Sequence, residues 1–357
     1  MIVLGIESSC DETAAAIVKD GRILLSNVVN SQIDIHARYG GVVPEVAARS
    51  HIEVIGAVVD QALENAELDW NDIDAIAVTY APGLIGSLLI GTLAARTLAA
   101  VHNKPLYKVH HVEGHVYANF ITESKLDLEL PSAQPKFPML ALIVSGGHSQ
   151  LVLFRDHGDY ELLGQTQDDA VGEAFDKVAK VLGLSYPGGP SIARAALNGD
   201  PLAYKLPKAK VAGEYDFSFS GLKTAVLRAV QSEVGVGFDF PSHELSGRLN
   251  DIQRANFAAS FQRVAVETLV DKTLKAFEHY QPASVVIAGG VAASAELRRI
   301  LAERLPIKIE YAPMSLCTDN AAMIATLGYY YAQKLEPDNP YTLEVVPSLS
   351  MTKTAWA

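Results

Sequence analysis

Residues 1–29 read MIVLGIESSCDETAAAIVKDGRILLSNVV, and residues 138–164 read PMLALIVSGGHSQLVLFRDHGDYELLG. In the first stretch an apolar run, Ile2 to Ile6, meets the polar turn Glu7 to Thr13. A second run, Ala14 to Val18, the turn Lys19-Asp20-Gly21 and a third run, Arg22 to Val29, complete it. The second stretch repeats that order. Met139 to Val144 is followed by Ser145-Gly146-Gly147-His148-Ser149, then Gln150 to Phe154, Asp156 to Asp159, and Tyr160 to Gly164. Short apolar runs separated by polar, glycine-containing turns read as strands. The same motif twice in one chain predicts an internal duplication and two related lobes.

Working outward, Pro44 to Ala66 predicts an amphipathic helix, Ala75 to Thr79 a buried strand, and Lys104 to Val109 another strand. Pro82 and Gly83 open a glycine-rich helix through Ala100. Glu123 to Lys136 is polar and holds Pro131 and Pro135, so the hinge is expected there. The second half predicts a long helix from about Arg248 to His279, a strand Ser284 to Ala288, a helix Ser294 to Arg304 and a strand Ile307 to Tyr311. A last helix, Asn320 to Lys334, is expected to return to the first lobe. The domain reading is therefore 1–130 plus 320–335, and 137–315.

Composition bounds the function. The chain has 357 residues, 49% hydrophobic and 20% charged, enough to bury a sizeable core. Its formal charge of -12 argues against coating nucleic acid by bulk electrostatics, though not against a local basic patch. Two cysteines, Cys10 and Cys317, make neither a disulfide framework nor an all-cysteine zinc site. The N-terminal stretch lacks a basic region and meets Asp11 and Glu12, so it does not read as a signal peptide. Leu84 to Val101 is apolar, but Arg96 interrupts it, and a buried, closely packed core helix is expected rather than a membrane span. The reading is a soluble, cytoplasmic protein.

Several motifs carry chemistry. The two polar turns expose backbone N–H groups that suit phosphate oxygens, and the glycines of Ser145-Gly146-Gly147 permit close approach. Gly289-Gly290 sits between a strand and a helix and suits a nucleoside or phosphate, while Tyr186 to Pro190 reads as plain turn chemistry. His111 and His115 are four apart, so a helix puts both on one face as a metal pair. Glu113 lies about 200° around that helix from His111, which disqualifies it as the base of a metalloprotease. A third ligand is needed, and Cys317-Thr318-Asp319-Asn320 offers Asp319 or Cys317. Asp319 also stands where a helix N-cap is expected. Asp176 suits a ribose or substrate hydroxyl, or an exposed helical Asp–Lys face. Residues 204–228 hold Lys205, Lys208, Lys210, Lys223 and Arg228 interleaved with Tyr204, Tyr215, Phe217 and Phe219, a mixture that suits phosphate contact and base stacking.

Taken together, these motifs resemble the TsaD family, the tRNA N6-adenosine threonylcarbamoyltransferases once called O-sialoglycoprotein endopeptidases, and in particular its bacterial branch. The resemblance rests on Met1 to Thr13, Gly40 to Glu45, Pro82 to Leu84, His110 to His115, Val144 to His148, Glu173 to Lys177, Tyr186 to Pro190, Asp216 to Lys223, Ala288 to Val291 and Cys317 to Asn320. It implies an α/β fold of two RNase-H-like lobes of the actin/sugar-kinase (ASKHA) superfold, with a central nucleotide cleft. It implies transfer of a threonylcarbamoyl group from threonylcarbamoyl-adenylate to N6 of the adenine next to the anticodon in tRNAs reading ANN codons, releasing AMP. By that resemblance His111, His115 and Asp319 hold one divalent metal, Fe2+ with Zn2+ as the other option. Ile143, Val144, Ser145, Gly146 and Gly147, with Asp176, Gly189 and Ser294, contact the adenylate; the family commonly has Asn where Ser294 stands. Asp11, in the first polar turn, is the candidate for positioning or proton removal. The implied partners are tRNA, a paralogous TsaB-like protein and a TsaE-like ATPase, with no membrane. A metal-dependent glycoprotein endopeptidase and a small-molecule kinase of the same superfold are the rival activities.

Overall fold

In the computed structural model, which describes residues 1–353, the N-terminal stretch forms an antiparallel meander. Its strands are β1 (Ile2–Glu7), β2 (Glu12–Lys19) and β3 (Ile23–Ser31). β1 pairs β2 from Ile2↔Lys19 to Glu7↔Ala14. The connection through Asp20 (φ 54) and Gly21 (φ 64) is the left-handed two-residue turn that a tight hairpin requires. A short helix α1 (Ile33–Ala37) leads to α2 (Pro44–Ala66), whose Pro44 takes the first helical position, where a missing N–H is harmless. Then come β4 (Ala75–Ala81), α3 (Ile85–His102), β5 (Leu106–His110) and α4 (His111–Tyr117). β4 runs parallel to β1, and β5 parallel to β4. A two-residue strand β6 (Glu123–Ser124) joins the far edge beside β3.

The second half builds β7 (Met139–Val144), β8 (Ser149–Asp156), β9 (Asp159–Gln165), α5 (Val171–Leu182), α6 (Gly188–Ala196), α7 (Ser220–Glu233), α8 (Asp251–Tyr280), β10 (Ser284–Ala288) and α9 (Ala295–Arg304). After it come α10 (Met314–Cys317) and α11 (Ala321–Lys334). Among the described residues one sheet has the order β5-β4-β1-β2-β3-β6, and the other β10-β7-β8-β9. Each contains a three-strand meander whose first strand is flanked by a parallel strand, β4 in one sheet and β10 in the other. The duplication read in the sequence is therefore a duplication of topology.

The chain divides into two compact units. One is 1–137, 154–160 and 310–357; the other is 138–153 and 161–309. In the first unit, strand parity decides what lies on each face. Leu4 and Ile6 of β1, with Ile76 and Val78 of β4, join the core cluster with Val58, Val59 and Ala62 of α2 and Ala95 and Ala99 of α3. Successive residues alternate faces, so Val3, Gly5 and Glu7 of β1 and Ala77 and Thr79 of β4 face the other way. That face is covered by α11. A Cβ on Gly5 would lie 2.6 Å from the Ala325 nitrogen, so the glycine is what lets the helix backbone rest on the strand. With helices on both faces, every residue of β4 is buried.

Three readings of the sequence are corrected. Ile307 to Tyr311 forms no strand. Cys317 ends the short helix α10, so Thr318 to Asn320 follow a helix rather than a strand. The apolar helix α3 is long and apolar enough to cross a membrane by length and composition, but only 33% of it is buried, so it is not a closely packed core helix. It buries Leu88, Gly91, Ala95 and Ala99 against the sheet, while Ile85, Leu89 and Leu93 stay exposed. Beyond α11 the described residues have little regular structure, yet they are tied down through backbone carbonyls. Arg96 donates to the carbonyls of Pro340, Tyr341 and Leu343, and His110 Nε2 lies 3.1 Å from Leu349 O.

Candidate functional site

β5 runs straight into α4, so His111 stands at the end of a buried strand and His115 one helical turn on. Their rings meet edge to face, with centroids 4.7 Å apart. Asp319 arrives from the other direction, just ahead of α11. Its carboxylate lies 3.5 Å from His111 Nε2 and 3.2 Å from His115 Nε2. The three ligand atoms lie within 4.8 Å of one another. Close helix packing makes this possible. A Cβ on Gly114 would lie 2.9 Å from Ile324 Cδ1, so the glycine between the two histidines lets α4 and α11 touch.

Asp319 is not the N-cap that its position in the sequence predicts. Asn320 caps α11, its Oδ1 accepting from Met323 N at 3.1 Å and its amide donating to Leu316 O and Thr318 O. The cap residue one position later releases Asp319 for the histidines. Cys317 is buried and donates its thiol to Ala312 O at 3.6 Å, away from the ligand set. Glu113 is buried and accepts from Tyr331 OH at 3.1 Å, which agrees with its placement off the histidine face.

The donor set fits a metal. His115 is 2% exposed, and apart from the Asp319 carboxylate its ring nitrogens have no polar partner among the described residues, an expensive arrangement unless a ligand satisfies them. Two imidazoles and one carboxylate leave open positions, as catalytic iron and zinc sites do.

Glu7 is the site residue that the sequence reading missed. Its carboxylate is fully buried at the end of β1. It accepts from Ser9 N at 2.5 Å and from Thr79 Oγ1 at 2.5 Å, and lies 3.0 Å from His111 Nδ1. Ser9 Oγ is 3.1 Å from the same nitrogen. Burial would raise Glu7, but His111 and the Ser9 contact hold it below the usual carboxylate range. Burial pulls His111 down, yet Glu7 and Asp319 push it up to about 9, so a metal must displace a proton there. Parity was the available signal, since Glu7 continues the Val3, Gly5 series onto the α11 face.

Asp11 lies in the β1–β2 turn, half-buried, its carbonyl accepting from Gln32 N at 3.1 Å. Beside it Glu12 is pushed up to about 9 by burial, with Asp319 and Asp11 adding to it. Burial, Asp11 and Asp319 also push the Cys10 thiol up, which keeps it neutral and unreactive.

The remaining candidates lie in the second unit, where β7 and β10 end. Ile143 and Val144 are buried strand residues, so only their backbone is available to a ligand. Ser145 N closes the turn by donating to His148 O at 2.8 Å, and Gly146 and Gly147 are exposed. α5 starts against this turn, where a Cβ on Gly172 would lie 2.6 Å from Ser145 O. Gly289 (φ 88) ends β10 beside Val144 and Ser145. Asp176 accepts from Gly188 N at 2.6 Å and so fixes the Gly188-Gly189 start of α6; burial raises its carboxyl, partly offset by that bond. Ser294 caps α9, accepting from Leu297 N at 3.3 Å. Ligands of open α/β sheets bind outside the carboxyl ends of such strands, where helix N-termini point.

The basic stretch reads differently in three dimensions. Lys208 pairs with Glu267 and Asp271 at 3.0 and 2.7 Å, and Lys223 with Asp169 at 3.1 Å. Tyr215, Phe217 and Phe219 are buried, and Tyr204 stacks on Phe257 at 3.7 Å. These aromatics are core, not a platform for bases.

Comparison with known proteins identifies the family. A family model for TsaD, tRNA N6-adenosine threonylcarbamoyltransferase, matches residues 23–326. A protein of that name from Thermomicrobium roseum is 53% identical over 341 residues, covering 94% of this chain and 93% of its own. Another, from Symbiobacterium thermophilum, is 52% identical over 332 residues, covering 92% and 91%. Among solved structures, component A of the (R)-2-hydroxyglutaryl-CoA dehydratase of Acidaminococcus fermentans aligns with 94% of this chain and 100% of its own, with TM-score 0.49 and 14% identity. On the family match and on relatives identical at half their positions, this chain belongs to the TsaD family of tRNA N6-adenosine threonylcarbamoyltransferases.

Proposed function

We propose that this chain transfers threonylcarbamoyl from threonylcarbamoyl-adenylate to N6 of the adenine next to the anticodon in tRNAs reading ANN codons. The C–O bond of the mixed anhydride breaks, a C–N bond forms, the amine loses a proton, and AMP leaves. The observation that carries the reading is the convergence of His111, His115 and Asp319 on one point, with buried His115 having no other polar partner among the described residues. A metal bound there orients the substrate and stabilises charge on oxygen. The two-histidine, one-carboxylate set favours Fe2+, with Zn2+ the competitor.

The chain's own groups do the rest. The Ser145 hydroxyl and the backbone N–H groups of Gly146 and Gly147, together with the start of α5, grip the adenylate phosphate, and the backbone of Ile143 and Val144 borders it. Asp176 and Gly189 hold the nucleoside. Ser294 keeps its capping bond and offers a short hydroxyl contact. Asp11 positions the incoming amine or takes its proton.

Partners follow from surface chemistry. The exposed Ile52 of α2, with Ile85, Leu89 and Leu93 of α3, is an apolar face that we assign to a paralogous TsaB-like protein. A TsaE-like ATPase completes the assembly, and we place it in the cytoplasm. An endopeptidase reading is disfavoured because Glu113 is committed to Tyr331.

The test supplies threonylcarbamoyl-adenylate and unmodified tRNA to the purified chain, with and without the partners, and looks for the modified nucleoside by mass spectrometry. Absence of product with partners present refutes the reading. Metal analysis of anaerobically purified protein decides between iron and zinc.

A further inference from the structure

From the contact between Glu7 and His111 we infer that Glu7 is a positioning residue, which fixes the His111 tautomer and ring so that Nε2 faces the metal. This rests on the metal reading above and deepens it.

A histidine has two ring nitrogens, and whichever is protonated cannot ligate. His111 Nε2 faces Asp319, while Nδ1 faces Glu7 Oε2 at 3.0 Å. An ionised carboxylate only accepts, so it selects the Nδ1–H form and leaves the Nε2 lone pair available. Glu7 is itself held still. Ser9 N donates to one of its oxygens and Thr79 Oγ1 to the other, each at 2.5 Å. With full burial, these bonds allow its carboxylate little rotation. Thr79 stands on β4, which pairs with β1 in parallel, so the sheet ladder sets the spacing between Thr79 and Glu7. His115 has no such partner at Nδ1 among the described residues. The two histidines are therefore unequal: His111 is backed by a carboxylate at Nδ1, and His115 has none there among the described residues.

Carboxylates behind metal-bound histidines typically contribute 10–100-fold in affinity. The experiment titrates zinc alone into metal-free full-length protein, against a competing chelator, for the wild type and Glu7→Gln. A loss of about 10–100-fold in the folded variant is expected. Its amide places either an oxygen or an N–H against Nδ1 and no longer selects one tautomer. A second measurement needs no variant. Histidine-selective nitrogen-15 spectra of the zinc-loaded wild type should show a proton on His111 Nδ1 and a metal shift on Nε2. Folded Glu7→Gln binding zinc as tightly as the wild type overturns the inference, and so does metallation at Nδ1. If the wild type binds no zinc or iron, the metal reading fails instead, and a His115→Ala control that loses zinc binding while wild type retains it distinguishes the two cases.

Discussion

Gly5→Ala tests how the metal centre is assembled. The added methyl would lie 2.6 Å from the Ala325 nitrogen and 2.9 Å from its Cβ, and also against Ala321 O. Ordinary contacts need about 3.5 Å, so α11 must retreat by roughly 1 Å. Both sides of the contact are backbone in regular structure, so neither yields as a flexible side chain would. Overpacking of this kind costs about 1–3 kcal/mol, and the rigidity argues for the upper end. For a unit of this size that corresponds to a fall in Tm of about 6–12 °C. Ala321 is two residues from Asp319, so the displaced helix carries the ligand with it. Sites need placement within about 0.5 Å, and zinc affinity should drop roughly tenfold or more. Thermal unfolding followed by calorimetry and a chelator-competition titration measure the two effects. Gly56→Ala is the control: at an exposed position of α2, with nothing within 4 Å of its added carbon, it should raise stability by up to about 1 kcal/mol. Unchanged Tm and unchanged zinc affinity in Gly5→Ala would refute the claim that backbone contact at Gly5 places Asp319.

Three further outcomes are expected. Asp11→Asn should keep its Tm within about 2 °C, since Asp11 is half-buried in a turn, yet lose most transfer to tRNA from preformed adenylate; full activity removes the proposed role. Leu89→Glu and Leu93→Glu sit on exposed positions of α3, so they should change stability by less than about 0.5 kcal/mol while abolishing co-elution with the paralogous partner on gel filtration. Burial holds His157 down at about 4, below its ordinary 6.5. The unfolded chain then binds a proton in that window that the folded chain refuses, so stability is full above about pH 6.5 and is lost as pH falls toward 4. The slope is at most about 1.4 kcal/mol per pH unit, and less because the ring is partly open to solvent. His157→Phe retains the stacking on Tyr330, so it should flatten the acid limb of a Tm-versus-pH curve.

What was readable in the chain follows from the range of each force. Strand–turn–strand order, the Asp20-Gly21 hairpin and the one-turn spacing of His111 and His115 are local, set by backbone sterics and helical period. They survive in any context, and the structure keeps them. The misread elements each depended on a distant neighbour. Tyr215, Phe217 and Phe219 look like a stacking surface among lysines, but burial makes them core and leaves Lys208 facing Glu267 and Asp271. α3 looks like a core helix from its apolar composition, but the sheet offers it only one side to cover.

The sequence by itself determined the doubled meander, the glycine turns and the pair of histidines, because each is a pattern within a few residues. Only the tertiary structure decided which third residue joins the two histidines and what stands behind them. Asn320 rather than Asp319 caps α11, Cys317 turns to Ala312, and Glu7 reaches His111 across more than one hundred residues of chain. Those choices rest on helix–sheet contact at Gly5, where backbones approach too closely for any side chain, and on helix–helix contact at Gly114, where the Ile324 side chain fills the space. Distances between elements, not propensities within them, fix a constellation of ligands.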